Sequence, residues 1–154
     1  IGKTEKGTEF NDPYMLPGEI KNLSRAGIVI GSHSDSHRSM AAITSSELEQ
    51  EAKESKDILE KLTGRAVTSF AYPYGTRADF NRETALILRK CGYTTVFTSQ
   101  HGAIHAGMDP LELPRVKIES GESIGMFRRI CGGGMDNWAL VDRLLSGMQN
   151  VNRK

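Results

Sequence analysis

The sequence is poor in cysteine, in net charge and in long apolar runs. Its two cysteines, Cys91 and Cys131, form no Cys-x-x-Cys pair and are too few for a disulfide framework. A single disulfide bond between them is the alternative, but we interpret both as buried or free thiols. The 20 Lys and Arg residues against 19 Asp and Glu leave a formal charge of +1. We expect no nucleic-acid partner, because the chain has no broad cationic surface for a phosphate backbone.

No apolar run approaches the roughly 18 residues that a membrane span needs, so we expect no span in this chain. The N-terminus shows no apolar signal core. Its first residue is Ile1 rather than Met, so this sequence does not exclude an export signal upstream of it. With 154 residues, 38% of them hydrophobic and 25% charged, the chain fits one globular domain with a single core.

Helical and extended segments alternate along the chain, which is typical of an α/β fold. The clearest helix begins at the capping box Thr44-Ser45-Ser46-Glu47, keeps its apolar residues on one face and ends at Gly64. Other helices are predicted over 17–26, 79–90 (with Leu86 and Ile87 inward), 123–130 and 135–145. Strands are predicted over 28–32, 67–72, 94–98 and 111–118. Residues 1–14 are predicted to form a loop, and 135–154 a C-terminal helix and tail.

Four histidines form two pairs with the same i, i+4 spacing, His33 with His37 and His101 with His105. The first pair follows a predicted strand directly, and α/β folds bind ligands at the carboxyl ends of parallel strands. A helical turn through 33–37 would place both imidazoles on one face, where they can hold two positions of a zinc tetrahedron. The alternative is a polar loop with incidental histidines, and spacing alone favours it.

The second histidine pair lies in a Gly-rich segment, 101–107, that has no helical period. This pattern predicts a mobile loop. Alternatively, one of its imidazoles reaches the site as a general acid, because the unperturbed pKa of His suits proton transfer near neutrality.

An aromatic strand end, Phe70-Ala71-Tyr72-Pro73-Tyr74-Gly75, is broken by Pro and Gly, so the backbone must turn sharply. Such a turn can direct the backbone N–H of Tyr74 at a developing oxyanion. The rings of Tyr72 and Tyr74, on either side of Pro73, offer flat surfaces to a sugar or another amphipathic ligand. The alternative is a rigid turn whose tyrosines only cover the core.

A third motif, Leu113-Pro114-Arg115-Val116, lies on the strand predicted over 111–118. Together with Gly31-Ser32-His33-Ser34-Asp35-Ser36-His37 and the aromatic strand end, it resembles the polysaccharide deacetylase family in order and spacing. This family is also called the NodB homology domain or carbohydrate esterase family 4, and the resemblance runs to about Ile130. It implies a distorted (β/α) barrel, present here in part, that binds one divalent metal, usually zinc. It also implies removal of acetyl groups from an N-acetylglucosamine-containing polysaccharide or oligosaccharide.

Under this resemblance, His33 and His37 match the two histidine metal ligands. The metal would activate a water for attack on the acetamide, and the Tyr74 amide would help to stabilise the oxyanion. The family's third ligand and its catalytic base are aspartates on a Thr-Phe-Asp-Asp-Gly strand that this chain lacks. Asp12 is the nearby acidic residue, but its loop-like flanks do not support the same role. We therefore expect an N-terminally truncated deacetylase domain that binds metal weakly and turns over poorly.

Two further differences from the family concern the proton-transfer groups. Many members carry an arginine that orients the base where this chain has Ala71, and Arg115 is the cation we expect to replace it. No His follows His105, so the general acid of the family's late Leu-x-His motif is missing, with His101 or His105 as stand-ins.

The resemblance places the protein outside the cell, in the periplasm or in the cell envelope. Two other functions stay open. One is a catalytically inactive carbohydrate-binding domain, and the other is an amide hydrolase of the same fold that acts on a non-carbohydrate substrate.

Overall fold

The computed structural model describes residues 14–118 and 123–134. In chain order these residues form α1 (Pro17–Arg25), α2 (Ser45–Thr63), β1 (Ser69–Ala71), α3 (Arg82–Lys90), β2 (Thr95–Phe97) and α4 (Ile124–Cys131). The predicted α/β architecture is confirmed. The helix predicted over 135–145, the tail that follows it and residues 1–13 of the predicted loop lie outside the described residues.

The sheet is short and parallel. Strands β1 and β2 pair with Phe70 opposite Val96. Isolated parallel bridges add Ser32 beside Phe70 and Leu113 beside Phe97. Extended segments therefore lie side by side in chain order, as successive β/α units require. Closure into the barrel that the resemblance implies stays a prediction.

The prediction of a strand over 28–32 is wrong except at its last residue, Ser32. The Ser32 N–H donates to the Ser69 carbonyl, and this is where the segment first pairs with β1. Before it, the side chains of Ile28 and Val29 are 52% and 82% exposed. Their β-branched composition favours extended backbone, but a strand also needs a neighbour that receives its hydrogen bonds.

The strand predicted over 111–118 is also reduced to a single position. The Leu113 N–H donates to the Val96 carbonyl, and the Leu113 carbonyl accepts from the Thr98 N–H. A continued parallel ladder would next join the Arg115 N–H to the Thr98 carbonyl. Instead, the Arg115 N–H donates to the Gln100 carbonyl, and the Thr98 carbonyl accepts from the Arg115 side chain.

Helix α2 confirms the sequence pattern closely. The Thr44 hydroxyl accepts a hydrogen bond from the Glu47 N–H, and the Glu47 carboxylate accepts one from the Thr44 N–H. Gly64 ends the helix in the left-handed conformation. One face of α2 is buried, and its buried residues are Leu48, Ala52 and Ser55.

Helix α3 begins later than predicted, because the side chain of Asn81 caps it. The prediction that Leu86 faces inward is wrong, since this side chain is 46% exposed. Ala85 and Leu88 are buried instead, and Ile87 is partly buried against the core. The apolar composition of α3 does not show which of Leu86, Ile87 and Leu88 is buried. The packing of α3 against α2 decides this.

The core lies between the sheet and helices α2 and α3, and aromatic rings fill much of it. The Phe70 ring contacts the rings of Tyr72 and Tyr93 edge to face. The Tyr93 hydroxyl donates to the Ala52 carbonyl at 2.8 Å, which joins the core to α2. Other buried apolar side chains are Met40, Leu48, Val67, Leu88, Val96 and Leu111.

Two predictions about whole-chain properties can be compared with the fold. Cys91 is buried, Cys131 is exposed and both are free thiols, as predicted. Within 14–118 and 123–134, no helix combines the length and apolarity that crossing a membrane requires.

The two leucines of α3 test which face of this helix is buried. We expect Leu88→Ala to lower the free energy of unfolding by about 2–5 kcal/mol, because it leaves a cavity in the core. Leu86→Ala should cost about 1 kcal/mol or less, because its side chain is already partly in water. Urea unfolding of the two variants measures the difference, and equal losses would contradict the described face of α3.

The capping box of α2 gives a pH-dependent stability. Hydrogen bonds from the backbone and side chain of Thr44, with a further one from Arg38, lower the pKa of Glu47 from 4.5 to about 2. A lowered folded-state pKa contributes stability above the unfolded pKa and loses it as the pH falls through the folded pKa. The native chain should therefore be more stable than Glu47→Gln at pH 6. That advantage should disappear as the pH falls from 4.5 towards 2.

Urea unfolding of both proteins between pH 6 and pH 2 measures this advantage. A stability difference that stays constant over the range would show that ionised Glu47 is not what stabilises the cap.

Candidate active site

Residues 33–37, here called the histidine loop, bring two imidazoles together at the carboxyl end of the sheet. The ring centroids of His33 and His37 lie 4.8 Å apart, with the rings nearly perpendicular. The predicted helical turn is wrong, because Ser34 and His37 have positive φ angles of 64° and 59°. The His37 N–H donates to the Ser34 hydroxyl at 2.9 Å, which closes the loop. Left-handed backbone, not helical periodicity, therefore pairs the rings.

The ring of His33 is held by a hydrogen bond to the last residue of β1. Its Nδ1 lies 2.8 Å from the Ala71 carbonyl oxygen. A carbonyl oxygen only accepts, so Nδ1 carries the proton, and in the neutral ring Nε2 keeps its lone pair. Metal-binding histidines are commonly oriented in this way.

This bond also explains why backbone pairing stops at Ser32. The Ala71 N–H donates to the Ser32 carbonyl. In a continued parallel ladder, the Ala71 carbonyl would then accept from the Ser34 N–H. The His33 side chain takes that position instead, so the strand ends where the histidine loop begins.

Residues 72–75, here called the tyrosine bend, lie beside the histidine loop. Tyr74 and Gly75 have φ angles of 60° and 66°, which reverse the chain after β1. The Tyr74 side chain is 60% exposed, and its ring centroid lies 4.9 Å from that of His37. No described group accepts a hydrogen bond from the Tyr74 N–H. The bend thus presents an exposed ring next to His37, and its Tyr74 N–H has no acceptor among the described residues.

Tyr72 and Pro73, two of the residues expected to bind substrate, are buried and offer no exposed surface. Tyr72 is 1% exposed and stacks on Phe80, with ring centroids 4.7 Å apart. Burial raises the pKa of Tyr72 to about 12, so its phenol stays protonated. Pro73 is also fully buried. Extended geometry would place Tyr72 and Tyr74 on one face, but the left-handed Tyr74 turns its own ring outward.

Arg115 lies on the same edge of the sheet as the tyrosine bend. Its Nε donates to the Thr98 carbonyl at 2.8 Å. The next residue, Ser99, donates its N–H to the Gly75 carbonyl at 2.9 Å. Arg115 is therefore joined to the tyrosine bend through the residues that follow β2, and its assignment to the site stays a prediction.

The second histidine pair follows β2 in the segment between residues 99 and 110. The His105 N–H donates to the Met108 sulfur at 3.3 Å, and the His105 side chain is exposed. No described contact joins His105 to the first pair. The general-acid role of His101 or His105 stays a prediction.

Sequence reasoning missed Glu51 of α2, which contacts the histidine loop. Its Oε2 accepts hydrogen bonds from the Asp35 and Ser36 N–H groups at 2.9 and 2.8 Å. Its Oε1 accepts one from the Ser36 hydroxyl. The available signal was its helical spacing, three residues after Leu48 and four before Ser55, which places it beside the buried face of α2.

The environment of Glu51 favours its charged form. Partial burial alone raises the pKa of Glu51. The hydrogen bonds from Ser36 and Asp35, together with the nearby positive charge of Arg38, outweigh burial and hold the pKa below its usual value. Glu51 is therefore a carboxylate at neutral pH.

The histidine pair fits two positions of a zinc site but does not complete one. Imidazole nitrogens are common zinc ligands, and catalytic zinc usually has three protein ligands. Residues 14–118 and 123–134 contain no group of three His, Cys, Asp or Glu side chains that could hold a metal ion. For the pair to hold zinc in a catalytic site, a third protein ligand would have to come from outside the described residues.

A sequence model of the polysaccharide deacetylase family matches residues 2–96, which include the histidine loop and the tyrosine bend. The chain belongs to the polysaccharide deacetylase family. The resemblance found in the sequence motifs is confirmed.

Several members of this family are similar to the chain over part of their length. YxkH of Bacillus subtilis, named as a candidate polysaccharide deacetylase, is 28% identical over 114 residues, which are 74% of this chain and 40% of that protein. The crystal structure of a polysaccharide deacetylase from Bacillus cereus is 28% identical, with a TM-score of 0.67. The match covers 77% of this chain and 37% of that one.

A further deacetylase of solved structure shows the same fold at lower identity. PplD of Streptococcus pyogenes, in complex with acetate, matches with a TM-score of 0.70 at 22% identity, over 78% of this chain and 52% of that one. The chain thus has the fold of this family and spans about half or less of the length of these relatives.

Two glycines with the same backbone angle test how the tyrosine bend is packed. Gly64 and Gly75 have φ angles of 67° and 66°. A Cβ on Gly64 would meet no atom within 4 Å, whereas one on Gly75 would lie 2.6 Å from the Ser99 nitrogen. We expect Gly64→Ala to cost about 1 kcal/mol of unfolding free energy from backbone strain. Gly75→Ala should cost roughly 1–3 kcal/mol more, because backbone atoms must move.

Thermal unfolding of both variants provides the comparison. Equal losses would mean that the tyrosine bend does not pack against the residues after β2 as described.

Proposed function

We propose that this chain contributes to metal-dependent N-deacetylation of an N-acetylglucosamine-containing polysaccharide. One observation carries the proposal. His33 keeps a free Nε2 lone pair through its bond to Ala71, and His37 lies between His33 and the exposed Tyr74. Family membership supports hydrolysis of an acetamide rather than another reaction of a paired-histidine site.

His33 and His37 would hold a divalent metal, most simply zinc, because both present imidazoles at the same edge of the sheet. When bound, such a metal lowers the pKa of a coordinated water and polarises a carbonyl oxygen. The protein's part is to orient these two ligands before the metal arrives. The hydrogen bond from His33 to β1 supplies that orientation.

The tyrosine bend would bind the reacting group and stabilise its charge. The Tyr74 N–H would donate to the oxyanion that forms when water attacks the acetamide carbonyl. The exposed Tyr74 ring offers a flat apolar surface to the C–H face of a sugar. In this proposal one residue serves both catalysis and substrate binding.

Arg115 would contribute positive charge at the same edge. Its Nε is used by the Thr98 carbonyl, and the rest of the guanidinium has further donors. We assign it to orienting the carboxylate base. Substrates of this class lie in the cell envelope or outside the cell, so we propose that location for the protein.

A second candidate function is binding of the same polysaccharide without turnover. The observation that favours it is the absence, among residues 14–118 and 123–134, of a third ligand for the histidine pair. Under this candidate the Tyr74 ring still contacts sugar, but acetate is not released.

Acetate release from N-acetylglucosamine oligomers in the presence of zinc tests the proposal. We expect slow release by the native chain, because ligands beyond the histidine pair are not among the described residues. His33→Ala and His37→Ala should each lose more than the roughly 10-fold to 100-fold that removal of an outer-shell partner costs, since each removes a ligand. Leu86→Ala, on the exposed part of α3, is the control and should keep the native rate.

The possible outcomes separate the two functions. Unchanged release by both histidine variants would refute the ligand assignment. Oligomer binding that depends on Tyr74, together with no acetate release from the native chain, would favour the non-catalytic function.

A further inference from the structure

The histidine loop has an unusual backbone for its sequence. Ser34 and His37 adopt left-handed φ angles, although neither is glycine. Such residues persist only where the surroundings hold them in place. The internal bond from the His37 N–H to the Ser34 hydroxyl closes the loop but does not attach it to the rest of the protein.

Helix α2 attaches the histidine loop at two levels. At its base, the Ser32 hydroxyl is hydrogen-bonded to the buried Ser55 hydroxyl at 2.7 Å. At its tip, one turn earlier on α2, the Glu51 carboxylate accepts from Asp35 and Ser36. The tip contact lies between the two histidines along the chain. It is therefore placed to determine how His37 approaches His33.

Glu51 is well suited to this role because it lies on a rigid element. It precedes the fully buried Ala52, so its backbone cannot shift without disturbing the core. Two oxygens of one carboxylate serve three donors of the loop, and charge strengthens each bond. An amide in the same place has a single acceptor oxygen.

We propose that Glu51 is a positioning residue that makes the His33 and His37 rings converge. Glu51 touches neither ring in the described contacts, and it acts through Asp35 and Ser36. The consequence for metal affinity rests on the proposed function, whereas the effect on ring geometry does not.

The experiment compares Glu51→Gln with Glu49→Gln in the full chain. Glu49 lies on the same helix, away from the histidine loop, and forms an ion pair with Lys53, which is itself half exposed. Two quantities are measured. One is the nuclear Overhauser effect between the ring protons of His33 and His37 without metal, and the other is zinc affinity from competition with a chelator.

We expect Glu51→Gln to weaken or abolish the ring-to-ring effect and to lower zinc affinity by about 10-fold to 100-fold. Glu49→Gln should leave both unchanged. Should Glu51→Gln fail to fold, Ser36→Ala removes the hydroxyl donor without altering α2, and a partial loss of the ring-to-ring effect is then expected.

A native ring-to-ring effect in Glu51→Gln, or in Ser36→Ala where that variant replaces it, would overturn the proposal. An equal loss in Glu49→Gln would also overturn it, because the cause would then be the charge of α2 in general. A ring-to-ring effect that depends on Glu51 in a chain that binds no zinc would support the positioning role and refute the proposed metal site.

Discussion

The hydrogen bond from the His33 ring to the Ala71 carbonyl is the interaction on which the candidate site depends. It ends the backbone pairing of Ser32 with β1, selects the imidazole tautomer and directs the other ring nitrogen outward. Carbonyl groups alternate in direction along a strand, so a shift of β1 by one residue would turn this acceptor away. The chemistry of the site is therefore coupled to the register of a very short parallel sheet.

Backbone strain is concentrated where the function is proposed. Among the described residues, the non-glycine residues with positive φ are Ser34, His37 and Tyr74, and all three belong to the histidine loop or the tyrosine bend. Such strain has to be compensated by contacts from more rigid parts of the fold. Helix α2 supplies them to the histidine loop through Ser55 and Glu51. The helix that covers the sheet thus also shapes its functional edge.

Membership of the polysaccharide deacetylase family agrees with this division between scaffold and site. The matched region contains both motifs whose backbone departs from regular structure. The relatives extend well beyond the part that this chain matches. Among the described residues, no third His, Cys, Asp or Glu side chain joins the histidine pair in a group that could hold a metal ion.

The sequence by itself determined those features that depend on neighbouring residues. The capping box at Thr44, the stop at Gly64 and the turn after Pro73 follow from local backbone chemistry. The motifs around His33, Tyr74 and Arg115 together indicated the family. Only the tertiary structure decided which face of α3 is buried, that the ring of Tyr72 enters the core and that Glu51 supports the histidine loop. Side chains with similar neighbours in sequence differ in burial and in hydrogen-bond partners. Both depend on residues far away in the chain, whose positions in space cannot be predicted from the local sequence.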